Sequence, residues 1–516
     1  MDENRLYKSL VICVLVLAGL ALGVFVPRFN VAGYELKNVD LFADIRYDLR
    51  PNKPNHHYRP DQPPVFDITY LPYLKNYTRY LSSSVGITPL LALPRFVIMD
   101  EELNKRLIYR LNEKRPSNLK SVAELPGSTV LFEDFSADGN AMKQIYKVMN
   151  TLKRGSGKGR IAMFGDSFIE GDIFCSDVRN SLQDIFGGNG VGFVPITSAV
   201  SQFRNTIGNT FSGFSSYTVV KKDSGYEPYG AGGYCFTAAK ENSLTYTVNP
   251  KYKHLDLFHD IRLFYTSPEN AVFKYRLNNS DLREINVTGS DQIQQKVLKG
   301  VNATTVSFNF PASDTLKLYG ASFEDSTGIY VDNFGLRGNS GLDLSQISEK
   351  MHRQFAQLRN YQLIILQYGL NVIAPETKDF SWYINPMINV VKMMKRCYPD
   401  AAILLVSVSD RSVNVNGKYQ TMESVPLMVE AQREIARQSQ VAFYNLFEAM
   451  GGENSMVGFV ENNPPLANKD YTHLNFQGGR IVAHIFVKSL LYEYQKYNDQ
   501  IKKHTNTDGT LVVSSK

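Results

Sequence analysis

The sequence predicts a three-layer α/β/α domain built on a parallel sheet and interrupted by an inserted antiparallel β-sandwich. Residues 361–367 and 401–408 are short, nearly continuous apolar runs, and helical patterns separate and follow them. Apolar runs of this kind are typical of strands buried on both faces, and their alternation with helices favours an α/β sandwich. Between 200 and 330 the pattern changes to short alternating segments, and the α/β pattern resumes near Gly338.

The elements of the α/β domain are predicted from apolar runs and from apolar residues at helical spacing. The predicted strands cover 161–164, 361–367, 401–408 and 441–446. The predicted helices cover 172–186, 343–358, 384–396, 421–439 and 476–497. We assign 155–199 and 331–497 to this discontinuous domain.

The inserted segment, 200–330, is rich in Thr, Tyr, Phe and Val and is cut by Gly, Asn, Asp and Ser. Its strand-like stretches cover 243–248, 260–265, 271–277, 305–310 and 315–319. Short strands at intervals of about ten residues predict an antiparallel β-sandwich.

The start of the chain predicts export from the cytoplasm. Leu10 to Val26 contains no charged residue, with Arg5 and Lys8 before it and Arg28 after it. The run is short for a membrane span and long for the core of a signal peptide. We predict a cytoplasmic stub and an uncleaved membrane anchor within 1–30, with a cleaved signal peptide as the alternative. Either alternative places the rest of the chain in the cell envelope or outside it.

Composition predicts a globular protein. Hydrophobic residues make up 43% and charged residues 21%, which excludes general disorder. The formal net charge of +6 is spread along the chain, so the sequence gives no reason to expect a nucleic-acid partner. Four cysteines, one of them in the N-terminal apolar run, do not form a disulfide framework, and scattered histidines predict no metal site or other cofactor. Residues 31–150 are expected to be an irregular and partly helical extension, with helical stretches around 101–112 and 141–153, and 498–516 a flexible tail.

Ser167 follows the first predicted strand in the motif Gly165-Asp-Ser167. A serine hydroxyl is a weak nucleophile until a histidine accepts its proton, and the imidazole needs a carboxylate to hold its tautomer. Asp470-Tyr-Thr-His473 supplies both groups. Each motif alone is also compatible with an ordinary turn or helix cap, so the prediction rests on their combination.

Two further motifs follow predicted elements. Gly369-Leu-Asn371 comes directly after the second buried strand, at the edge where open α/β sheets bind ligands. Gly338-Asn-Ser-Gly341 follows the inserted segment. The N–H groups of Ser167 and Gly341 and the Asn371 amide are three donors able to stabilise an oxyanion, with Gly338 as the alternative to Gly341.

In this order, the four motifs resemble those of the SGNH/GDSL hydrolase superfamily. The matching blocks are Gly165-Asp166-Ser167, Gly341, Gly369-x-Asn371 and Asp470-x-x-His473. The resemblance implies a flavodoxin-like three-layer fold. It also implies a catalytic set of Ser167, His473 and Asp470, an oxyanion hole of Ser167, Gly341 and Asn371, and supporting roles for Gly165, Asp166 and Gly369.

Over roughly 155–495 the chain is similar to the bacterial peptidoglycan O-acetylesterases within that superfamily. The similar stretches are 165–172, 187–195 and 443–452. In those proteins a carbohydrate-binding-module-like β-sandwich lies between the serine and glycine blocks, as the insert does here. The sequence departs from the family at Phe168, where the family has a histidine, and Trp382 is its one tryptophan, which leaves sugar stacking to tyrosine or phenylalanine.

The resemblance implies a serine esterase that removes O-acetyl groups from an envelope polysaccharide through an acetyl-serine intermediate. Peptidoglycan is the polymer that the resemblance favours. A polysaccharide O-acetyltransferase is the alternative, because a sugar hydroxyl can replace water as acceptor. A membrane anchor would then hold the domain beside an integral-membrane acetyl donor. A non-catalytic glycan-binding or assembly protein is the third alternative.

Overall fold

The computed structural model describes residues 30–31, 34–35, 130–221 and 228–510. Two short strands, β1 (Asn30–Val31) and β2 (Tyr34–Glu35), pair antiparallel in one compact unit of the chain, and all later elements belong to a second unit. The predicted anchor run at 10–26 and the predicted helix at 101–112 lie outside the described residues. No helix in the described part of the chain has both the length and the apolar character needed to cross a bilayer.

The second unit contains strands and helices in alternation, followed along the chain by a long run of strands and then by alternation again. The strands are β3 (Glu133–Asp134), β4 (Lys158–Gly165), β5 (Gly192–Pro195), β6 (Ile207–Thr218), β7 (Tyr234–Val248), β8 (Asp260–Ser267), β9 (Ala271–Leu277), β10 (Arg283–Val287), β11 (Ser290–Leu298), β12 (Thr305–Asn309), β13 (Lys317–Glu324), β14 (Gly328–Gly335), β15 (Leu363–Gln367), β16 (Ala402–Val406), β17 (Ser412–Val415), β18 (Lys418–Thr421) and β19 (Ala442–Tyr444). The α-helices are α1 (Lys143–Lys153), α2 (Ser167–Glu170), α3 (Cys175–Phe186), α4 (Glu349–Arg359), α5 (Ser381–Cys397), α6 (Ser424–Ser439), α7 (Leu446–Ala449), α8 (Ser455–Glu461) and α9 (Phe476–Thr510). Short 3-10 helices cover Val219–Lys221 and Leu342–Gln346.

Six strands form the central sheet in the order β14–β4–β15–β16–β19–β3. All neighbours are parallel except β19 and β3, which are antiparallel. Counted along the chain, the parallel strands have the flavodoxin-like order 2-1-3-4-5, whose direction reverses between β4 and β15. Helices α1, α3 and α9 contact one another, and α5 contacts α4 and α6, so two helical layers accompany the sheet. The predicted α/β architecture is confirmed.

The carboxyl ends of the parallel strands lie in one row. Gly335 pairs with Gly165, Gly165 with Gln367, Gln367 with Val406, and Val406 with Tyr444. Neighbouring strands are about 4.8 Å apart, so the loops that follow these residues begin side by side.

Gly165 and Gly335 allow α2 to lie close to this row. A Cβ on Gly165 would lie 2.3 Å from Ile169 Cγ1, and a Cβ on Gly335 would lie 2.3 Å from the backbone nitrogen of Glu170. Both distances are far inside van der Waals contact, so a larger residue at either position would displace α2 and Ser167 with it.

Two predicted helices have different boundaries in the structure. The helix expected at 172–186 starts at Cys175, because Asp172 has φ +62° and interrupts the helical backbone after α2. The helix expected at 343–358 becomes a 3-10 turn followed by α4, which Ser348 caps by accepting a hydrogen bond from the Met351 N–H. At the other end of the chain, α9 continues to Thr510, beyond the predicted end at 497.

Nine strands between α3 and β14 form an antiparallel sheet in the order β10–β9–β12–β7–β13–β8–β11, with β5 on β13 and β6 on β7. The sheet encloses its own core, which includes Phe236, Phe273 and Phe323. The prediction of antiparallel strands in the insert is confirmed, but hydrogen bonds link all nine strands into one sheet rather than two. The reason is β7, a 15-residue strand that pairs with β6, β12 and β13. The domain boundaries we assign stay predictions.

A buried ion network connects the two sheets. Glu324, the last residue of β13, pairs with Arg160 of β4 at 2.7 Å and with Arg359 of α4. Arg359 also donates to Asp332 Oδ2 at 2.6 Å, and the Arg359 and Asp332 side chains are 0% exposed. Burial alone would raise the pKa of Glu324, but Arg359 and Arg160 hold it well below its usual range.

Glu324→Gln is expected to destabilise the protein by about 3–5 kcal/mol, because it leaves buried guanidinium groups without their counter-charge. Urea unfolding of the full chain at neutral pH measures the loss. Glu434→Gln is the matched control, since the ion pair of Glu434 with Arg437 lies on the exposed face of α6 and should contribute little. Equal stability of the two variants would contradict a stabilising role for the network.

Candidate active site

Ser167 is the first residue of α2 and is separated from the end of β4 by one residue. Asp166 precedes it and caps the helix, since its Oδ1 accepts a hydrogen bond from the Phe168 N–H at 2.9 Å. Ser167 Oγ lies 3.0 Å from His473 Nε2. The structure therefore joins the serine and the histidine predicted to act together, although 306 positions separate them.

His473 and Asp470 lie in the loop before α9. Asp470 Oδ2 lies 2.7 Å from His473 Nδ1, while Asp470 Oδ1 accepts the backbone N–H groups of Thr472 and His473 at 2.9 and 3.0 Å. One carboxylate thus holds both the ring and the turn that carries it. Its hydrogen bond to Nδ1 leaves Nε2 for the hydroxyl of Ser167.

The charges of this pair reinforce each other. The hydrogen bond that His473 Nδ1–H donates to Asp470 raises the pKa of His473 above its usual value, although partial burial opposes the rise. Burial is the largest effect on Asp470 and acts to raise its pKa, but the hydrogen bonds from the His473 ring and from the backbone N–H groups of His473 and Thr472 together lower it. The imidazole is therefore a stronger base than a free histidine.

Tyr471 has a backbone conformation that is rare for residues other than glycine, with φ +53°. Its ring stacks on Tyr419 of β18, with centroids 3.6 Å apart and planes 4° from parallel. Its carbonyl accepts the Ser412 N–H at 3.0 Å. The β17–β18 hairpin therefore supports the strained turn between Asp470 and His473.

Asn371 lies next to Asp166, the residue before the nucleophile. Its Nδ2 donates to Asp166 Oδ2 at 3.1 Å and to the Asn339 carbonyl at 3.2 Å. Gly369 makes this approach possible, because it has φ +116° and a Cβ there would lie 2.6 Å from Val408 Cγ1.

The structure differs from the prediction at Gly341. Its N–H donates to Asn339 Oδ1 at 2.7 Å, so this donor is already occupied. The alternative, Gly338, has φ +78°, and a Cβ there would have only Val220 Cγ1 within 4 Å, at 3.4 Å. Which glycine supplies a donor to the substrate stays a prediction.

Asp166 links the nucleophile helix to the Asn371 loop. It is 0% exposed, with one oxygen on the Phe168 N–H and the other on Asn371. Burial raises its pKa to about 6, against the hydrogen bond from Phe168. These two hydrogen bonds fix the positions of both elements, and the supporting role of Asp166 in catalysis stays a prediction.

The antiparallel sheet reaches the site through Glu170, the last residue of α2. Glu170 Oε2 accepts a hydrogen bond from Arg337 Nε at 2.7 Å, and Oε1 accepts one from the Tyr234 hydroxyl at 3.2 Å. Arg337 follows β14, and Tyr234 begins β7. Sequence reasoning missed both contacts, because neither residue belongs to a recognisable motif.

The chain resembles known proteins in its fold but not closely in its sequence. No family model and no curated protein sequence matches the chain. The solved structure of a peptidoglycan O-acetylesterase is similar at 22% identity and TM-score 0.58, covering 71% of this chain and 99% of that chain. An acetyl xylan esterase matches at 15% identity and TM-score 0.25, covering 32% of this chain and 81% of that chain. A family two carbohydrate esterase from Clostridium thermocellum matches at 10% identity and TM-score 0.24, covering 55% and 97%.

The similarity to the first of these structures concerns the fold, and it extends over nearly the whole of that protein. In this chain Ser167, Asn371 and His473 lie together at the carboxyl-terminal ends of the parallel strands. The chain therefore has an SGNH/GDSL hydrolase-like fold.

Proposed function

We propose that this protein is a serine esterase that removes O-acetyl groups from an envelope polysaccharide, and that peptidoglycan is the leading candidate for this polymer. The observation that carries the proposal is the hydrogen-bonded series Ser167–His473–Asp470 at the carboxyl edge of the central sheet. The fold of the similar peptidoglycan O-acetylesterase supports this choice of ester and polymer.

The reaction begins at Ser167. His473 Nε2 accepts the hydroxyl proton while Oγ attacks the acetyl carbonyl, and Asp470 stabilises the imidazolium that forms. The Ser167 N–H and the Asn371 amide donate to the oxyanion. Asp166 accepts one N–H of the Asn371 amide and holds it in place. The oxyanion replaces the Asn339 carbonyl as the acceptor of the second N–H, because a charged acceptor binds an N–H more strongly than a neutral one.

The tetrahedral intermediate then breaks its bond to the sugar oxygen, which takes the proton from His473 and leaves as a hydroxyl group. Water attacks the acetyl-serine, with His473 accepting one of its protons. Collapse of the second intermediate returns that proton to Ser167 Oγ and releases acetate. A sugar hydroxyl in place of water would give acetyl transfer, so the products identify the acceptor.

We also propose that the catalytic part lies outside the cytoplasm, because the uncharged run of Leu10 to Val26 has basic residues on both sides. As an envelope protein it would meet acetylated polysaccharide directly. An anchored form would also lie in the same membrane as any integral-membrane acetyl donor.

Ser167→Ala is expected to lower acetate release roughly 10⁴-fold or more, since no other group in the scheme forms the acyl intermediate. The assay uses p-nitrophenyl acetate and O-acetylated peptidoglycan, with products separated into acetate and acetylated sugar. Ser280→Ala, in an exposed turn of the antiparallel sheet, should keep full activity. Undiminished activity of a correctly folded Ser167→Ala variant would exclude the mechanism.

The pH dependence of kcat/KM is expected to follow His473. The charged imidazolium cannot accept a proton, so activity falls as the pH drops below a pKa that lies above 6.5. Asp470→Asn removes the hydrogen bond that raises this pKa, so the midpoint should move to lower pH and kcat should fall about 10²–10⁴-fold. An unchanged midpoint in the pH profile of Asp470→Asn would argue against this coupling.

Tyr419→Ala is expected to lower kcat about tenfold with little change in KM, because it removes the ring that supports the turn of Tyr471. Tyr419→Phe keeps the ring and should restore kcat. Steady-state kinetics with p-nitrophenyl acetate distinguish the two variants. Equal kcat values for Tyr419→Ala and the unmodified protein would show that the stack does not position His473.

A further inference from the structure

Four neighbouring strands deliver polar side chains to the same edge of the central sheet. Arg337, Ser167, Asn371 and Arg411 follow β14, β4, β15 and β16, which is also the order of those strands in the sheet. Arg337 follows the strand next to that of Ser167, and Arg411 lies in the loop after the strand two positions away on the other side. The two arginines therefore flank the nucleophile.

Arg411 enters the site from the β16 side. Its Nη1 donates to the Leu370 carbonyl at 3.2 Å, directly before Asn371. Its positive charge acts on His473 and opposes the rise of the histidine pKa. Within the ranges that the structure describes, no carboxylate forms an ion pair with Arg411, whose side chain is partly buried. A guanidinium group in this position attracts an anion.

Arg337 enters from the β14 side, and the Nε side of its guanidinium group is bound by Glu170. Its Nε donates to Glu170, whose side chain is 5% exposed, while the Arg337 side chain is 51% exposed. The Nη1 and Nη2 groups form the fork that binds a carboxylate through two parallel hydrogen bonds. Glu170 cancels much of the Arg337 charge, so Arg411 supplies most of the attraction and Arg337 adds a directed donor.

We propose that the acetylated glycan carries a carboxylate close to the ester, and that Arg411 binds it with help from Arg337. The inference rests on the proposed function for the ester chemistry and on the two arginines for the charge. Two sources present the same group, a uronic acid ring and the lactyl or peptide part of a muramic acid residue. A neutral acetylated glycan lacks it.

The test compares acetate release from an acetylated oligouronate, an acetylated muropeptide and a neutral acetylated xylo-oligosaccharide. The full chain should favour at least one carboxylated substrate over the neutral one, and its KM for that substrate should rise with added salt. Arg411→Gln should reduce this preference, measured as a ratio of kcat/KM values, about tenfold or more, and Arg337→Gln should reduce it by a smaller factor. Whichever carboxylated substrate is favoured identifies the source of the group.

Arg437→Gln is the matched control, because Arg437 lies in the last turn of α6, pairs with Glu434 and is remote from the carboxyl edge of the sheet. It should keep the preference unchanged. Equal use of carboxylated and neutral substrates would overturn the inference. So would a loss in Arg411→Gln that is the same for every substrate, since that loss would indicate a structural role.

Failure of the proposed function has a different result, which is no acetate release from any substrate. Carboxylate recognition is then measured by calorimetry on the Ser167→Ala protein. The ligands are unacetylated oligouronate, muropeptide and xylo-oligosaccharide. Selective binding of a carboxylated ligand that is lost when Arg411→Gln is added supports the inference. Equal binding of all three ligands, or no binding, overturns it.

Discussion

The common register of the parallel strands is the constraint on which the candidate site depends. Because Gly335, Gly165, Gln367 and Val406 occupy one row, the chain leaves four strands at the same height. The hydroxyl, amide and guanidinium groups of the site come from the residues that follow. His473 is the exception, since it comes from the loop before α9, and the packing of α9 on α3 brings it to the row.

The antiparallel sheet is part of the surroundings of this site rather than a separate appendage. Glu324 binds arginines from both sheets in the interior, and the Tyr234 hydroxyl donates a hydrogen bond to Glu170 at the end of α2. Contacts at two places restrict rotation of one sheet against the other. The surface near Ser167 therefore includes residues from both sheets in a defined arrangement.

The sequence predicted the parts of the molecule that depend on local pattern. Strand β16 could be predicted because an uninterrupted apolar run is stable only between two covered faces. The occupied N–H of Gly341 could not, since it depends on the side-chain conformation of Asn339 in a loop. Nor could the stacking of Tyr419 on Tyr471, because two tyrosines far apart in sequence give no periodic signal. Contacts between loops form only once the whole chain has folded, so the sequence does not reveal them. The motifs can be recognised because each follows the end of a single predicted strand.

The pairing of β5 with β13 bears on how the chain accommodates so long an interruption between α3 and β14. Gly192 lies opposite Phe323, so the first and last strands of the interruption are direct neighbours. Closing this long segment costs chain entropy, and the hydrogen bonds and apolar core of the antiparallel sheet offset that cost. The pairing of β14 with β4 does not have to offset it. Length changes in the loops between β5 and β13 would leave the distance from α3 to β14 unchanged, so these loops tolerate evolutionary variation, whereas Tyr234 must be kept for its contact with Glu170.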